Sequence, residues 1–188
     1  NHYISMDYEN ATVTDINGET RQFVPAEYSI KNDLYSQNQI DFIDKYLNNL
    51  FKIVYEACEN GKYYKFDENY DLVDSDVTTA EEAVSNVMDI DSVRDMYILY
   101  EIVHDYDCGE GSFYMCVDLS KDSKCPKLKF TSPWDFNWAY NDSTEKYYAG
   151  AFTDKNFVAK KGDRSNPCLS FFASRIGLWT LSRKSGRR

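Results

Sequence analysis

Histidine and positive charge are scarce in this chain of 188 residues. It contains two histidines, His2 and His104, and its 21 lysines and arginines face 31 aspartates and glutamates, for a formal net charge of −10. Two histidines leave little room for a histidine-based metal cluster or a Ser-His-Asp triad. An acidic chain also lacks the net positive surface that binding to nucleic-acid phosphates requires. We therefore exclude a general nucleic-acid binder.

Long apolar runs and paired cysteines are also absent. No run approaches the roughly 20 apolar residues that span a bilayer, so we expect no membrane span. The polar, acidic segment 1–10 predicts no signal peptide. The five cysteines are odd in number and include no C-x2-C pair, which argues against a disulfide framework and a zinc site. Buried thiols are the favoured reading of Cys108, Cys116 and Cys125.

Aromatic residues are abundant, at 16% of the chain, and hydrophobic residues make up 43%. Such a content of rings argues against disorder and for a packed core. The length suits one domain, since domains cluster at roughly 100–200 residues. We therefore expect residues 1–188 to form a single domain or most of one.

Apolar spacing predicts three helices. The first runs from about Asn38 to Glu59, with a capping box of Ser36 and Gln39 and a stop at Gly61. One face of this helix carries apolar residues at alternating spacings of three and four, namely Ile40, Ile43, Leu47, Leu50, Val54 and Ala57.

Two shorter helices follow. One begins at Thr78 or Thr79, where Glu81 and Glu82 complete possible capping boxes. The next is capped by Asp91 or Ser92 and runs to about 104. Its predicted buried stripe consists of Val93, Met96, Tyr97, Tyr100 and Val103.

Beyond residue 111 the apolar period changes to that of strands. Segments 112–117 and 127–131 read as an antiparallel hairpin. The Asn-Gly pair within Ile16–Glu19 predicts a second hairpin turn. Segment 62–77 reads as a loop. Together these elements predict an α+β fold with helices packed around a short antiparallel hairpin.

Two acidic spots flank the predicted hairpin. Segment 104–111 follows a helix C-terminus, where the helix dipole disfavours carboxylates. Segment 134–137 follows the second strand. A hairpin in register brings Asp107 and Asp135 to one sheet edge, where hard oxygen ligands suit Mg²⁺. Pattern alone leaves open the alternative that these are ordinary solvated acidic loops.

The residues around these spots resemble the spore-coat CotH family. The resemblance rests on the run 97–107, on Gly109, on Ser112-Phe113-Tyr114-Met115 and on Pro133-Trp134-Asp135-Phe136. It is dense over 91–142, and the best match extends over 38–158. The positions that match the family pattern are Glu101, Asp107, Ser112, Tyr114, Asp118, Pro133, Trp134 and Asp135.

The resemblance implies the C-terminal part of an atypical protein-kinase-like fold. It implies Mg²⁺ and ATP as cofactors and phosphate transfer to Ser or Thr of a protein partner, such as a surface or coat protein. By position, Asp107 matches the catalytic-loop acid, Asp135 matches the metal-binding acid, and Asn137 would assist at the metal. The family implies a bacterial cell-surface, extracellular or spore-coat location.

Several features depart from the family pattern. Asn137 stands where the family has a second acid, and neither a Gly-rich loop nor a lysine-bearing strand is recognisable. We therefore expect a partial domain, in which neither the nucleotide lobe nor the C-terminal end of the family is recognisable. The sequence leaves open whether the chain is truncated or frame-shifted after about residue 167. The alternative function is a non-catalytic CotH-like surface or binding module, a pseudokinase that retains a divalent-metal site.

Two further alternatives carry less weight. Asp67-Glu68-Asn69-Tyr70-Asp71 opens like a Ca²⁺ loop, but Leu72 and Thr78 stand where Gly and Glu are needed. A sugar-stacking surface is the other alternative, although rings beside a strand more often belong to a core. The rings that it would use are Trp134, Trp138, Tyr140, Tyr147 and Tyr148.

Overall fold

The computed structural model describes residues 2–14, 20–103, 105, 108, 111–139, 168, 169 and 172. The chain divides into two compact units, one of residues 1–13 and 22–87 and the other of residues 14–21 and 88–188. The described residues hold three α-helices and several two-stranded sheets, which confirms the predicted α+β class. The prediction of a single CotH-like domain stays a prediction.

The first unit is organised by helix α1 (Gln37–Glu59), which confirms the first predicted helix. Gln39 Oε1 accepts the backbone N–H groups of Ser36 at 3.2 Å and Tyr35 at 2.7 Å, as half of the predicted capping box. The helix ends before Gly61, whose φ of 62° lies in the left-handed region that glycine adopts without strain. Its buried face consists of Tyr46, Leu50, Phe51, Ile53, Val54 and Ala57.

Four short strands precede α1. They are β1 (His2–Ser5), β2 (Thr12–Thr14), β3 (Thr20–Gln22) and β4 (Glu27–Ile30). Strands β1 and β4 pair antiparallel, with His2 opposite Ile30 and Ser5 opposite Glu27. Strands β2 and β3 form a second sheet on either side of the predicted Asn17–Gly18 turn, which itself lies outside the described residues.

The segment predicted as a loop after α1 contains a second antiparallel hairpin, so that prediction was wrong. Strand β5 (Tyr64–Phe66) pairs with β6 (Leu72–Asp74). The residue pattern of 62–77 does not reveal these strands, because strand formation depends strongly on packing against neighbouring elements. Tertiary packing supports this hairpin, since the ring of Phe66 stacks on Tyr46 of α1 at 5.4 Å between centroids.

The β5–β6 turn uses the acids that resemble a Ca²⁺ loop. Asp67 Oδ1 accepts the backbone N–H groups of Asn69 and Asp71, both at 2.8 Å. This carboxylate oxygen therefore closes a turn, as Asp side chains commonly do. The geometry favours the structural reading of this segment over an ion-binding one.

Helix α2 (Ala80–Val87) completes the first unit and packs against α1. Thr79 Oγ1 accepts the backbone N–H of Glu82 at 3.2 Å, which identifies Thr79 as the cap among the two predicted threonines. Ala83, Val84 and Val87 form its buried face.

The second unit begins with helix α3 (Ile90–Val103). Asp89 caps it, because Asp89 Oδ1 accepts the backbone N–H of Ser92 at 3.3 Å. The prediction of Asp91 or Ser92 as the cap was therefore wrong by two or three residues. Four residues of the predicted stripe are buried, and Val103 is half-buried. The buried ones are Val93, Met96, Tyr97 and Tyr100.

The predicted hairpin is present in this unit. Strand β7 (Tyr114–Cys116) pairs antiparallel with β8 (Lys129–Thr131), with Tyr114 opposite Thr131. Cys116 is exposed, which corrects the prediction of a buried thiol there, whereas Cys108 is buried. An exposed position follows from the pleat, since successive strand residues face opposite sides.

Hydrogen bonds join β8 to the first turn of α3. The backbone N–H of Asp89 donates to the carbonyl of Leu128 at 2.9 Å. Ser92 Oγ accepts the backbone N–H of Phe130 at 3.1 Å and donates its own proton to the Asp89 carbonyl at 2.7 Å. Strand β8 therefore leaves the helix at a defined point and leads directly to segment 132–137.

Ser92→Ala is expected to lower the free energy of unfolding by about 1–2 kcal/mol, because it leaves the Phe130 N–H without its acceptor. Urea unfolding followed by circular dichroism measures the change. Ser85→Ala is the matched control, since Ser85 Oγ donates only within α2, to the Glu82 carbonyl at 3.0 Å. Equal losses in the two variants would contradict a special role for Ser92.

Candidate functional site

In the second unit, the segment that precedes β7 and the segment that follows β8 lie together at the open end of the hairpin. The register pairs Tyr114 with Thr131, so Phe113 and Ser132 lie at the open end of the hairpin. Asp135 follows three residues after Ser132. Of the earlier acidic spot, Asp105 and Cys108 are described, whereas Asp107 lies outside the described residues.

Asp135 lies at the start of a 3₁₀ turn at Phe136–Trp138 and is half-exposed. Its backbone is left-handed, with φ 61° and ψ 54°. Asn137 Nδ2 donates a hydrogen bond to Asp135 Oδ1 at 2.5 Å. The structure thus brings together the two residues that the sequence assigns to a metal site.

Left-handed backbone is concentrated around the open end of the hairpin. Three of the four non-glycine residues with positive φ in the described part of the chain lie here, at Ser112, Ser132 and Asp135. Such conformations cost of order 1–3 kcal/mol each and gather at functional sites. Asp tolerates this region better than most residues because its short side chain hydrogen-bonds locally.

Asp105 is completely buried, at 0% exposure, just beyond the C-terminus of α3. The CotH family pattern has an Asn at this position, and the resemblance therefore predicts that Asp105 adds negative charge near the expected metal site. Because Asp105 is buried, it is not one of the solvent-exposed acids of this unit. A carboxylate at this end of a helix gains nothing from the helix dipole, so its burial there reflects tertiary packing.

Tyr100 of α3 packs against the rings on both sides of the β7–β8 hairpin. Its ring packs on Phe136, beside Asp135, with centroids 5.9 Å apart, and on Phe113, also at 5.9 Å. Burial raises the pKa of the Tyr100 hydroxyl above its ordinary value, and the charges of Cys108 and Asp105 raise that pKa further. One buried side chain of α3 therefore packs beside Asp135 and lies within electrostatic reach of Asp105 and Cys108.

The donor set suits a weakly held hard cation. Within the described residues, no group of three or more His, Cys, Asp and Glu side chains is placed to hold one metal ion. Mg²⁺ needs fewer protein ligands, because it keeps several waters and is bound by one or two carboxylates together with phosphate oxygens. The Asp135 carboxylate and the Asn137 amide oxygen fit that requirement.

The rim beside Asp135 is aromatic. Trp134 is 62% exposed and Phe136 36% exposed, so these rings are not simply core. Of the rings considered for sugar stacking, Tyr140, Tyr147 and Tyr148 lie outside the described residues. Further along the hairpin, a hydrogen bond from the backbone N–H of Ser120 to Asp118, at 3.0 Å, holds the pKa of that carboxyl below its usual range.

The residue pattern does not distinguish Tyr100, Phe136 or Ser92 as residues that build this site. Tyr100 was predicted only as part of a buried stripe. The signals present were the helical spacing of Tyr100 and the position of Phe136 directly after Asp135. Neither signal shows that the two rings meet, because that contact depends on the path of the hairpin.

Comparison with protein-family models, with curated proteins and with solved structures found no match. The resemblance to the CotH family therefore stays a prediction from the residues. Separately, none of the helices in the described part of the chain combines the length and apolarity of a membrane span.

Two substitutions of Asp135 distinguish the effect of its left-handed backbone on stability from the effect of its charge. Asp135→Asn is expected to leave stability nearly unchanged, since Asn also adopts left-handed backbone and keeps an oxygen for Asn137. Asp135→Ala is expected to lose about 1 kcal/mol or more, because left-handed backbone costs other L-residues roughly 1–2 kcal/mol. Urea unfolding measures both variants.

Asp122→Ala serves as the control, because Asp122 is an exposed acid of the β7–β8 loop whose φ is not positive. Asp135→Ala and Asp122→Ala of equal stability would contradict the left-handed conformation of Asp135.

Proposed function

We propose that this chain is the catalytic-loop part of a CotH-type atypical protein kinase. It transfers phosphate from Mg-ATP to Ser or Thr hydroxyls of a protein partner, such as a surface or coat protein outside a bacterial cell. The kinase-like fold, the cofactors and the location all belong to this proposal. They follow from the resemblance of residues 91–142 to the family.

The observation that carries the proposal is the position of Tyr100, which packs beside Asp135 and lies within electrostatic reach of Asp105. Its ring meets Phe136 beside Asp135, and the charge of Asp105 acts on its hydroxyl. Kinase chemistry requires one acid that orients the substrate hydroxyl and another that holds the metal on the phosphates. A fold in which one helix residue packs beside Asp135 and is affected by the charge of Asp105 supports such a division of work.

The residues have separate roles in this proposal. Asp107 orients the substrate hydroxyl and accepts its proton as the new O–P bond forms and the bond between the β- and γ-phosphates breaks, leaving ADP. Asp135 holds Mg²⁺, and the amide oxygen of Asn137 assists. The bound Mg²⁺ supplies positive charge that offsets the charge on the phosphates.

A non-catalytic module is the second candidate, and Asn137 favours it. The amide of Asn137 brings no charge, and its Nδ2 already donates to Asp135 Oδ1. This hydrogen bond leaves the second carboxylate oxygen of Asp135 and the amide oxygen of Asn137 for a cation, which gives a site with a single charged ligand. A weak divalent site without transfer would suit a pseudokinase that acts as a surface or binding module.

Mg-ATP is expected to raise the melting temperature of the wild-type protein by several degrees. A ligand present at 100 times its dissociation constant stabilises the native state by about 2.7 kcal/mol, and each kcal/mol shifts the melting temperature by roughly 2–4 °C at this size. Asp135→Asn should abolish most of the shift because it removes the charged ligand. Differential scanning calorimetry with and without Mg-ATP makes the measurement.

Asp122→Asn is the matched control and should keep the full shift, since it removes an exposed acid from the hairpin loop. No shift in the wild type would sink nucleotide binding by this chain. A shift that survives Asp135→Asn would show that the metal is bound elsewhere. Transfer of labelled γ-phosphate to a Ser/Thr-containing protein, lost in Asp107→Asn while the shift remains, separates the kinase from the non-catalytic module.

Asn137→Asp is expected to tighten Mg²⁺ binding by about tenfold, because divalent-ion affinity rises with the number of charged ligands. Isothermal titration with Mg²⁺ measures the change against wild type. Asp122→Asn again provides the baseline. Unchanged affinity would place Asn137 outside the coordination of the cation.

A further inference from the structure

Tyr100 of α3 is fully buried, and its ring lies against the residues that flank the two strands at the open end of the β7–β8 hairpin. Phe113 precedes β7 and Phe136 follows β8, and each ring lies 5.9 Å from Tyr100 between centroids. Phe113 also packs edge-on against Phe130 of β8, at 4.9 Å. The open end of the hairpin is therefore packed against one turn of the helix.

The polar end of Tyr100 is buried as well. Its hydroxyl oxygen has no hydrogen-bond partner among the described residues. A buried hydroxyl without a partner costs stability, so a phenylalanine would satisfy the packing more simply. Substitution of Tyr100 by phenylalanine removes the hydroxyl and keeps the ring, so the contribution of each part can be measured separately.

Phe136 transmits this packing to Asp135. Pro133 and Trp134 are exposed, and Asp135 is half-exposed in a left-handed conformation. Phe136 comes directly after Asp135 and rests on Tyr100 with ring planes inclined at 41°. A ring anchored on a helix limits the directions in which its neighbour's carboxylate can point.

We propose that Tyr100 is a positioning residue for Asp135 and acts through its ring contact with Phe136. This inference rests on the proposed function, because it assigns to Asp135 the task of holding a divalent cation. Tyr100 does not touch the cation. It fixes the backbone that presents the carboxylate, in the way that residues behind a ligand tune metal affinity.

The test measures Mn²⁺ binding in the absence of ATP, by electron paramagnetic resonance of the free ion, with Mn²⁺ standing in for Mg²⁺. Tyr100→Leu and Phe136→Leu are each expected to weaken binding by about tenfold, as is usual for residues that support a ligand. Tyr100→Phe keeps the ring and should bind as the wild type does.

The double variant Tyr100→Leu/Phe136→Leu decides whether the two rings act as one unit. Residues that act through each other are not additive, so the double variant should bind no more weakly than the weaker-binding single variant. Additive losses would overturn the inference. Phe136→Leu alone still gives a result if Tyr100→Leu fails to fold, because Phe136 is partly exposed.

Tyr46→Leu is the control for a general loss of stability. Tyr46 is also a buried tyrosine whose hydroxyl has no partner among the described residues, but it belongs to the first unit. It should lower stability and leave the dissociation constant for Mn²⁺ unchanged. A loss of affinity as large as that of Tyr100→Leu would reduce Tyr100 to a structural role.

Amide hydrogen exchange separates failure of this inference from failure of the proposed function. If the wild type binds no Mn²⁺, the cation role of Asp135 falls. Exchange over segment 132–137 should still be faster in Tyr100→Leu than in Tyr46→Leu. Unchanged exchange in Tyr100→Leu would overturn the positioning role, whatever the cation does.

Discussion

The backbone N–H of Phe130 donates to Ser92 Oγ at 3.1 Å, and the path of the second half of the hairpin depends on this bond. The neighbouring bond from Asp89 to the Leu128 carbonyl holds the same strand to the same turn of α3. Each bond satisfies a backbone group that burial would otherwise leave without a partner. Because β8 starts from this point, segment 132–137 reaches Tyr100, in the C-terminal part of α3, rather than another part of its surface.

The ring contacts build on that arrangement. Strand β8 carries Phe130 into the core, where it meets Phe113 and Phe172. The ring of Tyr100 packs against Phe113, which precedes β7, and against Phe136, which follows β8. Aromatic pairs in tilted or edge-on geometry contribute about 0.5–1.5 kcal/mol each beyond the area they bury. The high aromatic content of the sequence thus serves packing here.

Two polar features go against simple burial. The hydroxyl of Tyr100 lies inside the protein, and Asp105 is buried beside a helix C-terminus. Buried polar groups cost free energy and are retained where they have a task or a partner. Of the two residues, Tyr100 contacts segment 132–137 through Phe136, so one of these costs lies next to the candidate site. The left-handed residues at the open end of the hairpin are a second local cost in the same place.

Strong local signals made much of the fold predictable. The spacing of apolar residues located α1 and α3 to within a few residues, and strand alternation located the β7–β8 hairpin. Thr79 was recognisable as a cap because the bond to Glu82 lies within one turn. The pairing of β1 with β4 was not predictable, because it joins segments that are distant in sequence. The β5–β6 hairpin was not predictable either, because it depends on packing against α1.

The same distinction applies to the candidate site. The sequence by itself determined which side chains could serve: Asp135 and Asn137 are two residues apart on one turn, and oxygen ligands at that spacing can meet whatever the rest of the fold does. Only the tertiary structure decided that Asp105 is buried and that Phe136 rests on Tyr100. The contact between Phe136 and Tyr100 joins residues 36 positions apart. It depends on where β8 crosses α3, and hydrogen bonds such as that from Phe130 to Ser92 determine this crossing. The local spacing of residues does not encode it.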